Sequence, residues 1–159
     1  MKGFTVVELL VVMGIAAILL GFSTINLVKV QRNTTTGAAL DSLMADLRSQ
    51  QAKAMSGAEG GGNFGIFFNS TNSYILFKGS SYNPSDANNF TVALDEPISV
   101  SSIFPNDPDD PGQIVVFTQG NGEIVGFSNT SNKITVTNTA GSEGKTLNLN
   151  RLGVITSVD

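Results

Sequence analysis

Apolar residues are concentrated at the N-terminus of the chain, where residues 4–28 form an almost uninterrupted hydrophobic run. This segment carries one charged side chain, Glu8, and four neutral polar ones, Thr5, Ser23, Thr24 and Asn26. As a helix it would be about 37 Å long, which is enough to cross a hydrocarbon core of about 30 Å. The pattern predicts a transmembrane or assembly helix over residues 4–28.

A second helical pattern covers about residues 38–55. Its apolar side chains recur at the spacing i, i+3, i+4 and i+7, and the same face then continues: Leu40, Leu43, Met44, Leu47, Gln51, Ala54 and Met55. Between the two patterns, residues 31–37 hold three Thr and one Gly, which lower helix propensity. We therefore expect a hinge or a break near residues 33–37, with residues 29–56 forming the C-terminal part of the helix.

Short β-type runs dominate the chain from Phe64 onward, rich in Val, Ile, Phe and Thr and separated by turn-forming residues. They predict strands at residues 64–68, 74–78, 90–94, 98–104, 113–118, 123–127, 133–137, 145–150 and 153–158. Gln119–Gly122 predicts a hairpin turn, and the glycine-rich residues 57–63 predict a flexible connection. We expect an α+β fold in which the C-terminal half of the helix packs on an antiparallel β domain, residues 57–159.

Composition narrows the range of functions. The chain has no His and no Cys, and its 13 acidic and 9 basic residues give a net charge of −4. Thiolate metal sites, disulfides and Ser-His triads are therefore excluded, and general nucleic-acid binding is disfavoured. Asp95 and Glu96 are adjacent, so on a strand they would point to opposite faces and would not form an acid pair. We expect neither an enzyme nor a resident cofactor.

Glu8 discriminates between interpretations of the N-terminal run. A secretory signal peptide has a short apolar region and a small-residue cleavage site, and it has no reason to carry this carboxylate. A plain membrane anchor leaves Glu8 unexplained too, because a carboxylate within an apolar segment costs a few kcal/mol and needs a partner. Lys2 is the only cation that precedes Glu8, so the partner has to come from elsewhere.

Residues 2–12, which read KGFTVVELLVV, resemble the class III signal of type IV pilins and type II secretion pseudopilins. The resemblance implies that a prepilin peptidase removes residues 1–3 by cutting after Gly3, and that it methylates the new N-terminus at Phe4. It also implies that Glu8 pairs with the N-terminal amine of a neighbouring subunit, so cleavage would create the missing cation. Ile25 stands where many type IV pilins have Pro, which leaves helix melting in a filament open.

The resemblance extends more loosely to Leu40–Met55, Ile114–Gly122 and Leu147–Ile155, which are similar to H-type minor pseudopilins and related minor pilins. It implies a structural subunit of a type IV pilus or a type II secretion pseudopilus. The implied partners are prepilin peptidase, other pilin subunits, an inner-membrane assembly platform and, before assembly, membrane lipid. The implied location is a prokaryotic cytoplasmic membrane with Lys2 inside and the β domain exported. Small side chains would allow close helix approach in a filament core, at Gly14, Ala16, Ala17 and Gly21.

The resemblance also allows an alternative role, as a minor tip pilin that acts as an adhesin or a DNA-binding module. The β domain contains two further candidate sites. Asp107, Asp109 and Asp110 could hold calcium, as some pseudopilins do, although the spacing is not that of an EF-hand and a solvated turn competes. Arg151 occupies the place of a Gly-Arg motif with which some minor pilins bind DNA. Only a cluster with Lys133 and Lys145 would make that place attractive to phosphate.

Overall fold

A computed structural model describes residues 5–95, 97–104, 113–140 and 143–159, and the side chains of residues 21–34, 70, 71 and 143 lie outside this description. The described chain forms one long helix, α1 (Val6–Ser56), a short 3₁₀-helix (Ala58–Gly60) and eight strands. The strands are β1 (Phe64–Thr71), β2 (Ser73–Lys78), β3 (Phe90–Ala93), β4 (Ile98–Ser102), β5 (Gln113–Phe117), β6 (Lys133–Asn138), β7 (Glu143–Leu149) and β8 (Ile155–Val158).

Helix α1 is uninterrupted in secondary structure through residues 31–37, so the predicted break is wrong. Thr costs only about 0.6 kcal/mol relative to Ala in a helix, and packing readily overrides so small a preference. Thr36, for example, is buried. The chain divides into two compact units between Thr34 and Thr35. A hinge in this region, and the division of the chain at residues 3, 28 and 56, stay predictions.

The strands form two four-stranded antiparallel sheets, in the orders β3-β2-β1-β5 and β4-β6-β7-β8. In the first sheet Phe64 of β1 lies opposite Lys78 of β2 on one side and Phe117 of β5 on the other. The second sheet is built on the β6–β7 hairpin, in which Ile134 lies opposite Leu147. The predicted antiparallel β domain is confirmed, as two sheets.

The main core of the β domain combines one stripe of α1 with the inner faces of both sheets. Leu40, Leu43 and Leu47, which share the predicted stripe, are 0–3% exposed. Alternate strand residues contribute the sheet side of this core, with Ile134 and Leu147 fully buried. The predicted packing of the helix on an antiparallel sheet is confirmed, and the fold is α+β.

A second apolar cluster covers the outer face of the β3-β2-β1-β5 sheet. It consists of Phe67, Phe77 and Val116 from three strands, together with Tyr82 from the β2–β3 connection. The Tyr82 ring stacks on Phe67 with 4.1 Å between ring centroids and an interplanar angle of 17°. A loop residue therefore closes a face that a strand pattern alone would leave to solvent.

The strand predicted at residues 123–127 is not formed. Ile124 makes only an isolated antiparallel bridge to Phe117. The Ile124 N–H instead donates a hydrogen bond to the carbonyl of Arg151 at 2.9 Å, and this bond is not part of a strand ladder. The turn at residues 119–121 does form, so the turn signal was right although the strand after it was not.

Candidate functional site

The start of α1 holds the one predicted N-terminal site residue that the structure describes, Glu8; Gly3 and Phe4 lie outside the described residues. Thr5 caps the helix, because its Oγ1 accepts a hydrogen bond from the Glu8 N–H at 3.2 Å and its carbonyl accepts one from the Leu9 N–H at 3.2 Å. Thr5 and Glu8 have the spacing of a capping box. Thr5 was missed as a positioning residue, although Thr-x-x-Glu before an apolar run is its recognised signal.

The Glu8 side chain lies in the first turn of α1 and is exposed. A carboxylate there interacts favourably with the positive end of the helix dipole, by about 0.5 kcal/mol at an exposed position. No ion pair joins Glu8 to another residue in the described part of the chain. The stabilisation that Glu8 receives from its own helix is therefore too small to offset transfer into an apolar environment.

The helix surface around Glu8 is apolar and open. The large apolar side chains of residues 6–20 are all more than half exposed, from 54% at Ile15 to 77% at Val6. An apolar surface of this extent marks contact with lipid or protein. None of the helices, searched over the described residues alone, combines the length and the mean hydropathy of a membrane span.

Comparison with known proteins identifies this segment. The family model described as the prokaryotic N-terminal methylation motif matches residues 1–24. The chain carries this methylation motif at its N-terminus. Gly3, Phe4 and Glu8 all fall within the matched residues, and a motif of this kind implies processing by prepilin peptidase. No curated protein and no solved structure matches the chain.

Arg151, the predicted DNA contact, is paired with Glu123. Its Nε and Nη2 lie 3.1 and 2.9 Å from one carboxylate oxygen of Glu123, so its charge is already matched. The register of β6 and β7 pairs Lys133 with Asn148 and Lys145 with Val136, which places the two lysines on opposite faces of the sheet. The basic cluster that would favour DNA is therefore absent from these strands, and DNA binding at Arg151 stays a prediction.

The predicted calcium loop cannot be placed, because Asp107, Asp109 and Asp110 lie outside the described residues, as does Glu96. Within the described residues no three acidic side chains come together as a metal-binding group. Calcium binding at the three aspartates stays a prediction.

Tyr74 and Asp46 form a polar link between β2 and α1. The Tyr74 hydroxyl donates to Asp46 Oδ2 at 2.6 Å, and the tyrosine is 1% exposed. Burial, together with the hydrogen bond to Asp46, raises the pKa of Tyr74 well above its ordinary value. The hydroxyl thus stays protonated and acts as a fixed donor, which points to a structural role in holding α1 on the sheet.

Proposed function

We propose that this chain is a structural prepilin-like subunit that assembles into a type IV pilus or a type II secretion pseudopilus. The observation that carries the proposal is the N-terminal methylation motif over residues 1–24. Cleavage after Gly3 would leave residues 4–159 and create a new amine at Phe4, which is then methylated. The exposed apolar surface of residues 6–20 supports the same role, because it requires a cover of lipid or of other helices.

Glu8 supplies the assembly chemistry in this proposal. In a filament core the apolar side chains of one helix exchange lipid contacts for contacts with neighbouring helices, a change that is nearly neutral in hydrophobic energy. A carboxylate in the same environment is costly until a cation neutralises it. The Phe4 amine of a neighbouring subunit provides that cation, so docking is favourable only where the amine and Glu8 meet.

The remaining partners and the location follow from the same proposal. Before assembly, residues 4–28 sit in the cytoplasmic membrane of a prokaryote, with Lys2 on the cytoplasmic side and the β domain exported. An inner-membrane assembly platform then transfers the subunit to the filament. The β domain, with its own core of helix and two sheets, forms the filament's outer surface.

Substitution of Glu8 tests the proposal. Glu8→Gln preserves shape and removes the charge, so we expect cleavage after Gly3 to continue while the amount of sheared filament falls at least tenfold. Asp41→Asn is the matched control, because it removes an exposed carboxylate from the same helix outside the matched motif. Filaments of Glu8→Gln at the level of the control would show that the charge pair is not required.

A minor tip subunit, serving as an adhesin or in DNA uptake, is the alternative, and it would share the same N-terminal anchor. The pairing of Arg151 with Glu123 gives the DNA version no support. Subunit stoichiometry in purified filaments separates the two proposals. A chain that is a major component is a structural subunit, whereas a chain found in trace amounts at the filament end is a tip subunit.

A further inference from the structure

A cavity of about 260 Å³ lies in the β domain beside the last turns of α1, where it is bordered by β1, β2 and the start of β3. Drug-sized ligands occupy sites of about 300–1,000 Å³, and an apolar cavity of about 150 Å³ accepts benzene. A molecule of roughly ten non-hydrogen atoms therefore suits this space. The cavity was not foreseen, because its lining combines residues that are distant in sequence.

Two ammonium groups flank the cavity. The Nζ atoms of Lys53 and Lys78 lie 5.6 and 5.8 Å from the ring centroid of Phe64, which is one of the lining residues. Each cation thus faces the same aromatic ring, an arrangement that favours a positive charge. The site is positive although the chain as a whole carries a net charge of −4.

Glu59 contacts both lysines but neutralises only one of them. Its Oε1 lies 3.0 Å from Lys53 Nζ, whereas Lys78 Nζ donates to the Glu59 backbone carbonyl at 2.5 Å. Glu59 is also the one non-glycine residue with a positive φ among the described residues, at 54°. Such a backbone conformation is unfavourable and persists when surrounding contacts hold it. The cavity therefore carries one positive charge in excess, in a strained local setting.

Gln50 adds a polar group to the lining. It borders the cavity and is 2% exposed as a whole residue. A carboxamide that borders a cavity is available to form hydrogen bonds with a molecule bound there. It can both donate and accept.

Part of the rim of the cavity is apolar. Phe90 lines it with 64% of its surface exposed, and the half-buried Leu76 lies beside it in the paired strand β2. An exposed Phe at the mouth of a cavity provides apolar contact area for whatever enters it.

We propose that this cavity binds a carboxylate that bears a short apolar body, supplied either as a free organic acid or as the C-terminus of a peptide that ends in an apolar residue. The single excess positive charge matches a monoanion. The Gln50 amide donates to the carboxylate beside the two ammonium groups, and the apolar body lies against Phe90 and Leu76. The site gives the exported domain a ligand of its own, independent of processing and assembly at residues 1–24.

The test is a titration of the full chain in detergent micelles with 3-phenylpropionate, followed by NMR shifts of the Gln50 side-chain amide. We expect saturable shifts with this acid and at least tenfold weaker effects with 3-phenylpropionamide, which lacks the charge, and with acetate, which lacks the apolar body. Equal responses to the acid and its amide would overturn the proposal, as would the absence of saturable shifts with every acidic probe. A tetrapeptide that ends in Phe, compared with its C-terminal amide, shows whether a free acid or a peptide is preferred.

Charge variants sharpen this test. Lys53→Met and Lys78→Met keep an apolar stem over Phe64, and each should weaken binding about threefold, as expected for exposed ion pairs. Glu59→Gln should tighten binding about twofold to threefold, because it removes the competing carboxylate and keeps the backbone carbonyl. The double variant Lys133→Met with Lys145→Met is the control for overall charge and should leave binding unchanged. A Glu59→Gln variant that binds no more tightly than the parent chain contradicts the proposal even if a lysine variant fails to fold.

Discussion

Gly153 offers a sharp test of how the loops of the β domain are held against α1. Its φ of +70° lies in the left-handed region, and a Cβ added there would be 2.7 Å from Cε1 of Phe117 and 2.7 Å from Nε2 of Gln51. Phe117 is fully buried, so its ring has little room to yield. The Gln51 Nε2 donates to the carbonyls of Gly122 at 3.0 Å and Leu152 at 2.6 Å, so displacing it breaks two hydrogen bonds.

These contacts set the size of the effect of Gly153→Ala. The left-handed backbone costs Ala about 1 kcal/mol, and forcing a methyl group into a packed site adds about 2 kcal/mol. Gly120→Ala is the matched control, because Gly120 has a φ of +86° but nothing lies within 4 Å of its added Cβ. The control should therefore lose only the conformational part, about 1 kcal/mol.

Thermal unfolding of the full chain in detergent micelles, followed by circular dichroism in the β region, measures both variants. At about 4 °C per kcal/mol for a unit of this size, Gly153→Ala should lower the Tm by about 12 °C and Gly120→Ala by about 4 °C. Equal Tm values for the two variants would show that crowding at Gly153 contributes nothing to the loss of stability.

Three further predictions concern the core, the polar link and the helix start. Leu43→Ala removes a fully buried side chain from the stripe of α1 and should lower the free energy of unfolding by about 3 to 4 kcal/mol, whereas Leu152→Ala, at a position 54% exposed, should change it by about 0.5 kcal/mol or less. Tyr74→Phe removes the hydrogen bond to Asp46 and should therefore lower the free energy of unfolding by about 1 to 2 kcal/mol at pH 7. The pKa of Tyr74 is raised in the folded state from its ordinary 10.0. The contribution of Tyr74 to the free energy of unfolding is therefore complete below about pH 10 and is lost as the pH rises beyond about 10. Between pH 8 and pH 11 the free energy of unfolding should therefore fall less in Tyr74→Phe than in the parent chain. Equal decreases would contradict the role given to the Tyr74 hydroxyl. Thr5→Val removes the cap of α1 and should speed hydrogen exchange at the Glu8 and Leu9 amides about fivefold, as a cap worth about 1 kcal/mol implies, whereas Thr5→Ser should leave exchange unchanged; similar rates in both variants would argue against the cap.

The parts of the fold that depend on local periodicity could be predicted from the sequence. Leu40, Leu43 and Leu47 share one face at helical spacing, and that face is buried. Gln51 lies on the predicted face as well, but its role depends on the carbonyls of Gly122 and Leu152. Those carbonyls come within reach only in the folded chain, so no local pattern indicates the contact.

The arrangement of strands could not be predicted in the same way. β6 alternates apolar and polar residues, whereas β1 is buried at every position from Phe64 to Phe68, and neither pattern indicates which sheet the strand joins. Pairing of β1 with β5 joins segments separated by three other strands along the chain, and alternation carries no information on such a partner. The Tyr82 contribution to the outer cluster was hidden for a related reason, since it comes from a connection and not from a strand.

The candidate sites differ in the same way, because some depend on a local sequence pattern and others depend on the tertiary fold. Gly3, Phe4 and Glu8 could be predicted because the motif is local and depends on spacing, and the family match covers all three positions; their roles stay predictions. The cavity beside α1 depends on Gln50, Lys53 and Lys78, which belong to a helix and a strand that only the tertiary fold brings together. Gln50 did leave one trace, because it follows Leu47 by three residues and so places a polar side chain on an apolar stripe.

Every role proposed for the N-terminal segment requires that the chain be processed as a prepilin. Mass spectrometry of the N-terminal peptide, from the full chain produced in cells with an active prepilin peptidase, tests it most directly. We expect a mature chain that begins at Phe4 with a methylated amine. A chain that retains Met1, or one that begins beyond the hydrophobic run as after cleavage by a signal peptidase, would contradict it.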